Sequence, residues 1–422
     1  MSNIYLELMK QEISPALGCT EPGAIGLAVA KSHETLGKPV EKVILYLSRN
    51  MLKNAMGVGI PGTDRVGIET AVALAALIGK SDYLLEVFRD VTTEDIINAE
   101  KFVKEGRIQV EMADTDEKLY IRAVCIAGED RAETIIQTSH TNIIMIIHNG
   151  TKVYLQKEEC TRVPENTNSY SLKVEDIFHY IEEAPVSELE FLSESVEMNL
   201  TIAQKGLEED YGLGVGKQEM ESVSNSENIS MEQQAVALTA AAADARMAGC
   251  SLPVMSTTGS GNQGITATVP VAVAANRLGK SREEMLRAIA LSQLITIHIK
   301  SHLGKLSALC GCAIAAGIGA ACGITYLEGG RLEHVENAIR NMVADISGLI
   351  CDGAKYGCAL KIATSVSSAF RCASLAVHNV TASGNDGIVD GNVERTILNL
   401  AALGNKGMLD TDKLILNMMI SH

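Results

Sequence analysis

Tryptophan is absent from this chain, and aromatic residues make up only 4% of it. Its cores must therefore be built from Ala, Ile, Leu, Val and Met, whose smaller side chains let helices approach closely. A basic stripe is also missing. The net charge of −16 argues against a nucleic-acid partner, because phosphate binding needs clustered Lys and Arg. The stretch MSNIYLELMKQEISPALG carries acids and lacks the apolar centre of a signal peptide. The longest apolar run, AIAAGIGAACGITYL (313–327), is broken by glycine and short of the roughly 20 residues of a membrane span. No membrane partner is expected, and the chain reads as cytoplasmic. CxxC spacing is missing as well, which argues against a zinc ribbon or finger.

What is present is a chain of 422 residues, 46% hydrophobic, with 36 glycines and ten cysteines. In a cytoplasmic protein such cysteines point to metal binding, catalysis or burial rather than to a disulfide framework. The texture changes along the chain. Residues 4–13 and 21–36 read as helices, the second with Thr20 as N-cap and Gly37 closing it. VEKVILYLS (40–48) alternates like a strand, two glycine-rich turns fill 57–67, and a helix runs through TAVALAALIG. Residues 107–157 show β-branched alternation between turn residues. Helical spacing dominates from 174 onward, with a surface loop over 222–230. The expected fold is α+β: a mixed α/β part over 1–173 packed on a larger, mostly α-helical part over 174–422.

Four stretches carry candidate chemistry. Cys351 and Cys358 flank an Asp352-Gly353 turn in ICDGAKYGCALK, with Cys351 expected at a helix end and Cys358 one turn into the next helix. Core filler, a disulfide, a reactive thiol pair and metal ligands all fit that spacing. An iron–sulfur cluster tolerates ligands from distant segments, and LCGC (309–312) could add a third. In PALGCTEP, Cys19 lies at a helix start, where unpaired N–H groups would favour a thiolate; a packed turn thiol is the alternative. STTGSGNQGITATVP (256–270) contains GxGxxG, but no strand is evident before it. It reads instead as a loop of small donors, among them Ser260, Asn262 and Gln263, able to cradle a carboxylate. Finally, SRNMLKNAMGVGIPGT and SHTN offer Arg49, Asn50, Asn54, His140 and Asn142 for a carboxylate or an ammonium group. His298 and His302 lack the glutamate of HExxH and suggest no zinc.

Taken in order, PALGCTEP, SRNMLKNAMGVGIPGT, SHTN, STTGSGNQGITAT, LSALCGC and ICDGAKYGCALK resemble the iron–sulfur L-cysteine desulfidases, a family similar to the α chain of iron–sulfur L-serine dehydratase. The likeness runs essentially end to end. It implies a [4Fe–4S] cluster held by Cys310, Cys351 and Cys358 with one iron open to substrate, and Cys19 as the catalytic thiol. Cys310 is preferred over Cys312 because the family's cysteine follows Ser-Ala-Leu, here Ser307-Ala308-Leu309. The implied reaction is PLP-independent β-elimination of L-cysteine to hydrogen sulfide, ammonia and pyruvate. L-Serine dehydration is the near alternative, and a non-enzymatic iron–sulfur or thiol sensor the distant one. The expected partner is a small amino acid, and a homo-oligomer is left open.

Overall fold

The computed structural model describes residues 4–156, 172–223, 229–304 and 307–421. Cys160 and the middle of the 222–230 stretch lie outside them. The architecture is the expected one: a mixed α/β N-terminal region packed against a mostly α-helical C-terminal region. Among the described residues no helix is long and apolar enough to cross a membrane.

The strands are β1 (Ile13–Leu17), β2 (Lys42–Leu47), β3 (Ile108–Met112), β4 (Tyr120–Ala127), β5 (Asp130–Gln137), β6 (Ile143–His148), β7 (Thr151–Leu155) and β8 (Pro253–Thr257). Six of them form one sheet in the order β3-β2-β4-β5-β6-β7, in which only β2 and β3 run parallel. Val43, Leu45 and Leu47 alternate inward from β2, as the period of two requires. They meet the buried face of the helix Thr20–Leu36 and the helix Ile68–Ile78 in one apolar core. A second, larger core gathers the helices of the C-terminal region. The ends of the chain cross over: Leu8, Met9 and Ile13 belong to the helical core, whereas Leu416 belongs to the sheet core.

Small side chains make the helical core dense. In the helix Gly261–Arg277 every residue from Gly261 to Ala275 is buried. Its first turn sits so close to β8 that a Cβ at Gly264 would lie 1.9 Å from the Met255 carbonyl oxygen. Some polar groups inside are paired: Thr257 Oγ1 donates to Gln293 Oε1 at 2.6 Å, and Gln293 Nε2 donates to Thr268 Oγ1 at 3.0 Å.

Several boundaries differ from expectation. The helix after Gly18 begins at Thr20, so Cys19 occupies the N-cap; Gly37 closes it in the left-handed region at φ 65°, as read. The glycine-rich motif does follow a strand, β8. That strand pairs antiparallel with β1, so the motif is not part of a parallel βαβ unit. Neither five-residue strand alternates clearly, and their pairing spans more than half of the chain. The expected donor loop is the start of a helix. The helix Leu332–Ile346 ends before Cys351, which lies outside any helix or strand, and Cys358 is the first residue of the helix Cys358–Val377.

Gly264→Ala should destabilise the protein by about 2 kcal/mol, because backbone atoms cannot yield to the new methyl. Thermal unfolding reads the change, and an unaltered midpoint would contradict the close approach.

Candidate active site

Gly18, at φ 61°, turns the chain from β1 into the helix that presents Cys19. The Cys19 Sγ–H donates to Glu21 Oε2 at 3.0 Å, Thr20 Oγ1 donates to the same oxygen at 3.1 Å, and Asn54 Nδ2 donates to Oε1 at 3.1 Å. Glu21 is only 7% exposed. Burial opposes its charge, yet the neighbouring His140 and these donors together hold its carboxyl below the usual range. The thiol responds in the opposite sense. Burial first, and the Glu21 charge second, push Cys19 well above an ordinary thiol. The expectation of a resting thiolate is therefore corrected: at this helix start, desolvation and a carboxylate outweigh the helix N-terminus.

Arg246, 3% exposed, ties this turn to the glycine-rich motif. Its Nη2 donates to the Gly18 carbonyl at 2.8 Å and its Nη1 to Asn262 Oδ1 at 3.1 Å. Ser260 N-caps the helix without a side-chain cap bond. Three buried atoms nearby, Asn54 Oδ1, Gln263 Oε1 and Thr266 Oγ1, have no hydrogen-bond partner among the described residues. A Cβ at Gly311 would lie 3.1 Å from Gln263 Oε1 and 3.2 Å from Lys300 Nζ, so both side chains face the cysteine-glycine-cysteine turn.

The cysteine segments are held together by backbone bonds. Leu309 and Ile350 form an antiparallel bridge; Cys310 N donates to Leu349 O at 2.9 Å and Cys351 N to Ala308 O at 2.7 Å. Gly353, at φ 94°, packs so tightly on the Lys53 carbonyl that a Cβ would sit 2.2 Å from its oxygen. This turn brings Cys358 back, with its thiol 3.7 Å from the Gly353 carbonyl it faces. Cys358 packs in one small cluster with Cys19, Val58 and Met247. Cys310 and Cys312 are 3.3 Å apart at sulfur. The hydrogen bond from Cys312 draws Cys310 down, while it and burial push Cys312 up. Burial and the neighbouring thiols also raise Cys351 and Cys358, the latter to about 12.

Cations surround these thiols. Lys53 Nζ donates to the Cys351 carbonyl at 3.2 Å and pairs with Asp412. Lys361 Nζ donates to the Ile350 carbonyl at 2.9 Å and pairs with Asp352. Lys300 is lowered to about 8 by burial, against the opposing pull of Cys351, Cys312 and Cys310. Among the described residues, no three His, Cys, Asp or Glu side chains converge as a site for a metal ion. The donor chemistry nevertheless suits a polynuclear cluster: three thiols from two segments lie close enough to act on one another electrostatically, beside Lys53, Lys300 and Lys361, and a cluster spreads its ligands over several ångströms.

The structure thus gathers Cys19, Asn54, His140, Asn262, Gln263, Cys310, Cys351 and Cys358. Ser260 N-caps the helix that carries Asn262 and Gln263. Arg49, Asn50 and Asn142 are not gathered. Arg49 is exposed at the start of the helix Arg49–Ala55, with Asn50 beside it. Asn142 braces the β5–β6 turn, donating to Gln137 O at 3.0 Å and accepting from Gln156 Nε2 at 3.1 Å. His298 is structural, 2.7 Å from Glu394 Oε2.

The chain is similar to known proteins over most of its length. A family model described as serine dehydratase alpha chain matches residues 82–417. The chain belongs to the serine dehydratase alpha chain family. It is also 44% identical to a UPF0597 protein of Bacteroides fragilis over 98% of this chain and 97% of the relative. A UPF0597 protein of Clostridium perfringens is 42% identical over 100% of this chain and 98% of the relative. One of Clostridium tetani is 39% identical over 99% and 98%.

In this member of the serine dehydratase alpha chain family, sequence reasoning missed Glu21, Arg246, Lys53, Lys300 and Lys361 as site residues. Arg246 did leave a signal, as a lone cation in the alanine-rich helix Met231–Met247. The lysines left none, because an isolated Lys in a helix reads as surface.

Lys53 is 2% exposed, so Asp412→Ala would strand its charge. The variant should lose about 3 kcal/mol of stability, and the double replacement Lys53→Met with Asp412→Leu should recover most of it. Chemical denaturation distinguishes the two. An Asp412→Ala protein as stable as the parent would show that the pair is solvated.

Proposed function

We propose that this protein is a [4Fe–4S]-dependent lyase that eliminates the β-substituent of L-serine, giving pyruvate and ammonia. Family membership supports a β-elimination-type lyase acting on a small amino acid. The observation that carries the fuller reading is the packing of Cys358, one of three clustered thiols, against Cys19 of the Cys19–Glu21 pair. The matched family's description favours L-serine. The motif resemblance, PALGCTEP above all, supports L-cysteine desulfidation as the second reading.

Held by Cys310, Cys351 and Cys358, the cluster would supply a Lewis-acidic iron for the departing group. The chain's own residues do the remainder. Lys300, a buried cation, offers the substrate carboxylate a partner. Gln263 Oε1 and Asn54 Oδ1 offer acceptors to the ammonium group. The ionised Glu21 carboxylate accepts the Cys19 hydrogen bond and so orients the thiol; Cys19 is the candidate for the Cα proton once it has given up its own. Loss of the β-substituent leaves aminoacrylate, which tautomerises and hydrolyses to pyruvate and ammonia. No step requires PLP.

Anaerobically prepared protein should contain iron, absorb in the visible and form pyruvate from L-serine. Sulfide and pyruvate released faster from L-cysteine would establish the second reading; turnover of neither would end both. Cys351→Ala and Cys358→Ala should lose the iron, and so should Cys310→Ala. Cys322→Ala, in the helix Ala315–Leu327, should keep it. Full iron content in the first two variants would remove the ligand assignment.

Cys19→Ser and Glu21→Gln separate catalyst from scaffold. Both should keep the iron and lose about 10²–10⁴-fold in kcat. Turnover of Cys19→Ser near the parent rate would return Cys19 to a packed turn thiol.

A further inference from the structure

Cys312 has no place in the ligand set above, yet its sulfur is 3.3 Å from that of Cys310. A disulfide needs about 2.05 Å, so closure requires the two sulfurs to move closer than they stand here. The intervening residue is Gly311, in a turn where Ile314 N donates to Cys310 O at 2.8 Å. Glycine there adds no side chain to obstruct a ring closed across two residues. Among the described cysteines no other pair approaches at sulfur as a hydrogen bond would. Cys312 is half-buried while Cys310 is buried, so a small oxidant meets one member of the pair from outside.

We infer that Cys310 and Cys312 form a reversible peroxide-responsive disulfide site. One thiol attacks a hydroperoxide oxygen; the O–O bond breaks, hydroxide leaves and takes up a proton, and a sulfenic acid forms. The second sulfur then displaces water from that sulfenic acid, and the S–S bond closes. Hydrogen peroxide is thereby reduced to two waters, and the two thiols supply both electrons and both hydrogens. The bridge stops Cys310 from advancing to sulfinic acid, which ordinary thiols do not reverse. The consequence for metal loading rests on the reading of Cys310 as a cluster ligand; the disulfide itself does not. The geometry thereby gives a role to the second cysteine of LCGC, that of a partner which guards the first.

The full-length protein, parent and Cys312→Ser, is treated with hydrogen peroxide, alkylated and mapped by peptide mass. The parent should show the segment holding both cysteines two hydrogens lighter and unalkylated, and dithiothreitol should restore both thiols. Cys312→Ser should carry Cys310 as sulfinic or sulfonic acid. After peroxide and then dithiothreitol, its iron uptake on reconstitution should fall by about fivefold or more against the parent treated alike. Separately oxidised or freely alkylated Cys310 and Cys312 in the parent would overturn the inference. So would Cys312→Ser that escapes over-oxidation. A parent chain that takes up no iron before any peroxide would fail the cluster reading, while the peptide masses still decide the disulfide.

Discussion

A buried guanidinium in the last turn of an alanine-rich helix holds the site in register. Arg246 reaches the Gly18 carbonyl on one side and Asn262 on the other. It thereby fixes the turn that carries Cys19 relative to the helix start that carries Gln263. Those two segments lie more than two hundred residues apart in the chain, and β1 and β8 lead into them as a pair. At 3% exposure this cation bonds fixed groups through Nη1 and Nη2, while its Nε has no partner among the described residues. Here the fixed groups are the ones that the chemistry needs to have aligned.

The same principle governs the rest of the pocket. The chain is acidic overall, with a net charge of −16, yet Lys53, Lys300 and Lys361 all surround the cysteine loops. Each thiol raises its neighbours when it ionises, so three together are stable as thiolates only against positive charge or bound metal. Asp412 and Asp352 in turn hold two of the lysines in place. The Asp412 contact also reaches the site from the helix Leu409–Ile420, near the far end of the chain. Electrostatic balance, rather than apolar burial alone, accounts for the contact between the two cores at this point.

Much of the architecture was legible locally. The alternation of β2 and the strands after it, the left-handed Gly37 stop and the long C-terminal helices follow from periodicity and turn chemistry. The short strands β1 and β8 did not, because each has a partner that is distant in sequence and no alternation of its own. Of the candidate site residues, Asn54 and His140 proved to share one neighbour, Glu21, while Arg49, from the same helix as Asn54, points to solvent. At 3.6 residues per turn, the five positions from Arg49 to Asn54 turn the side chain by roughly 140° round the helix, and a motif read as a string does not show this.

Residue types and their spacing were enough to mark the thiols, the glycine turns and the α+β division. They were not enough to set the protonation of Cys19. A helix N-terminus, judged alone, favours a thiolate; the folded pocket adds burial and the Glu21 carboxylate and reverses the outcome. Nor could spacing reveal that Cys310 and Cys312 touch, or that three lysines face the same loops. Helices and hairpins follow largely from interactions a few residues apart. The charge state of a buried group is a sum over everything packed against it, and that sum exists only after the distant segments have met.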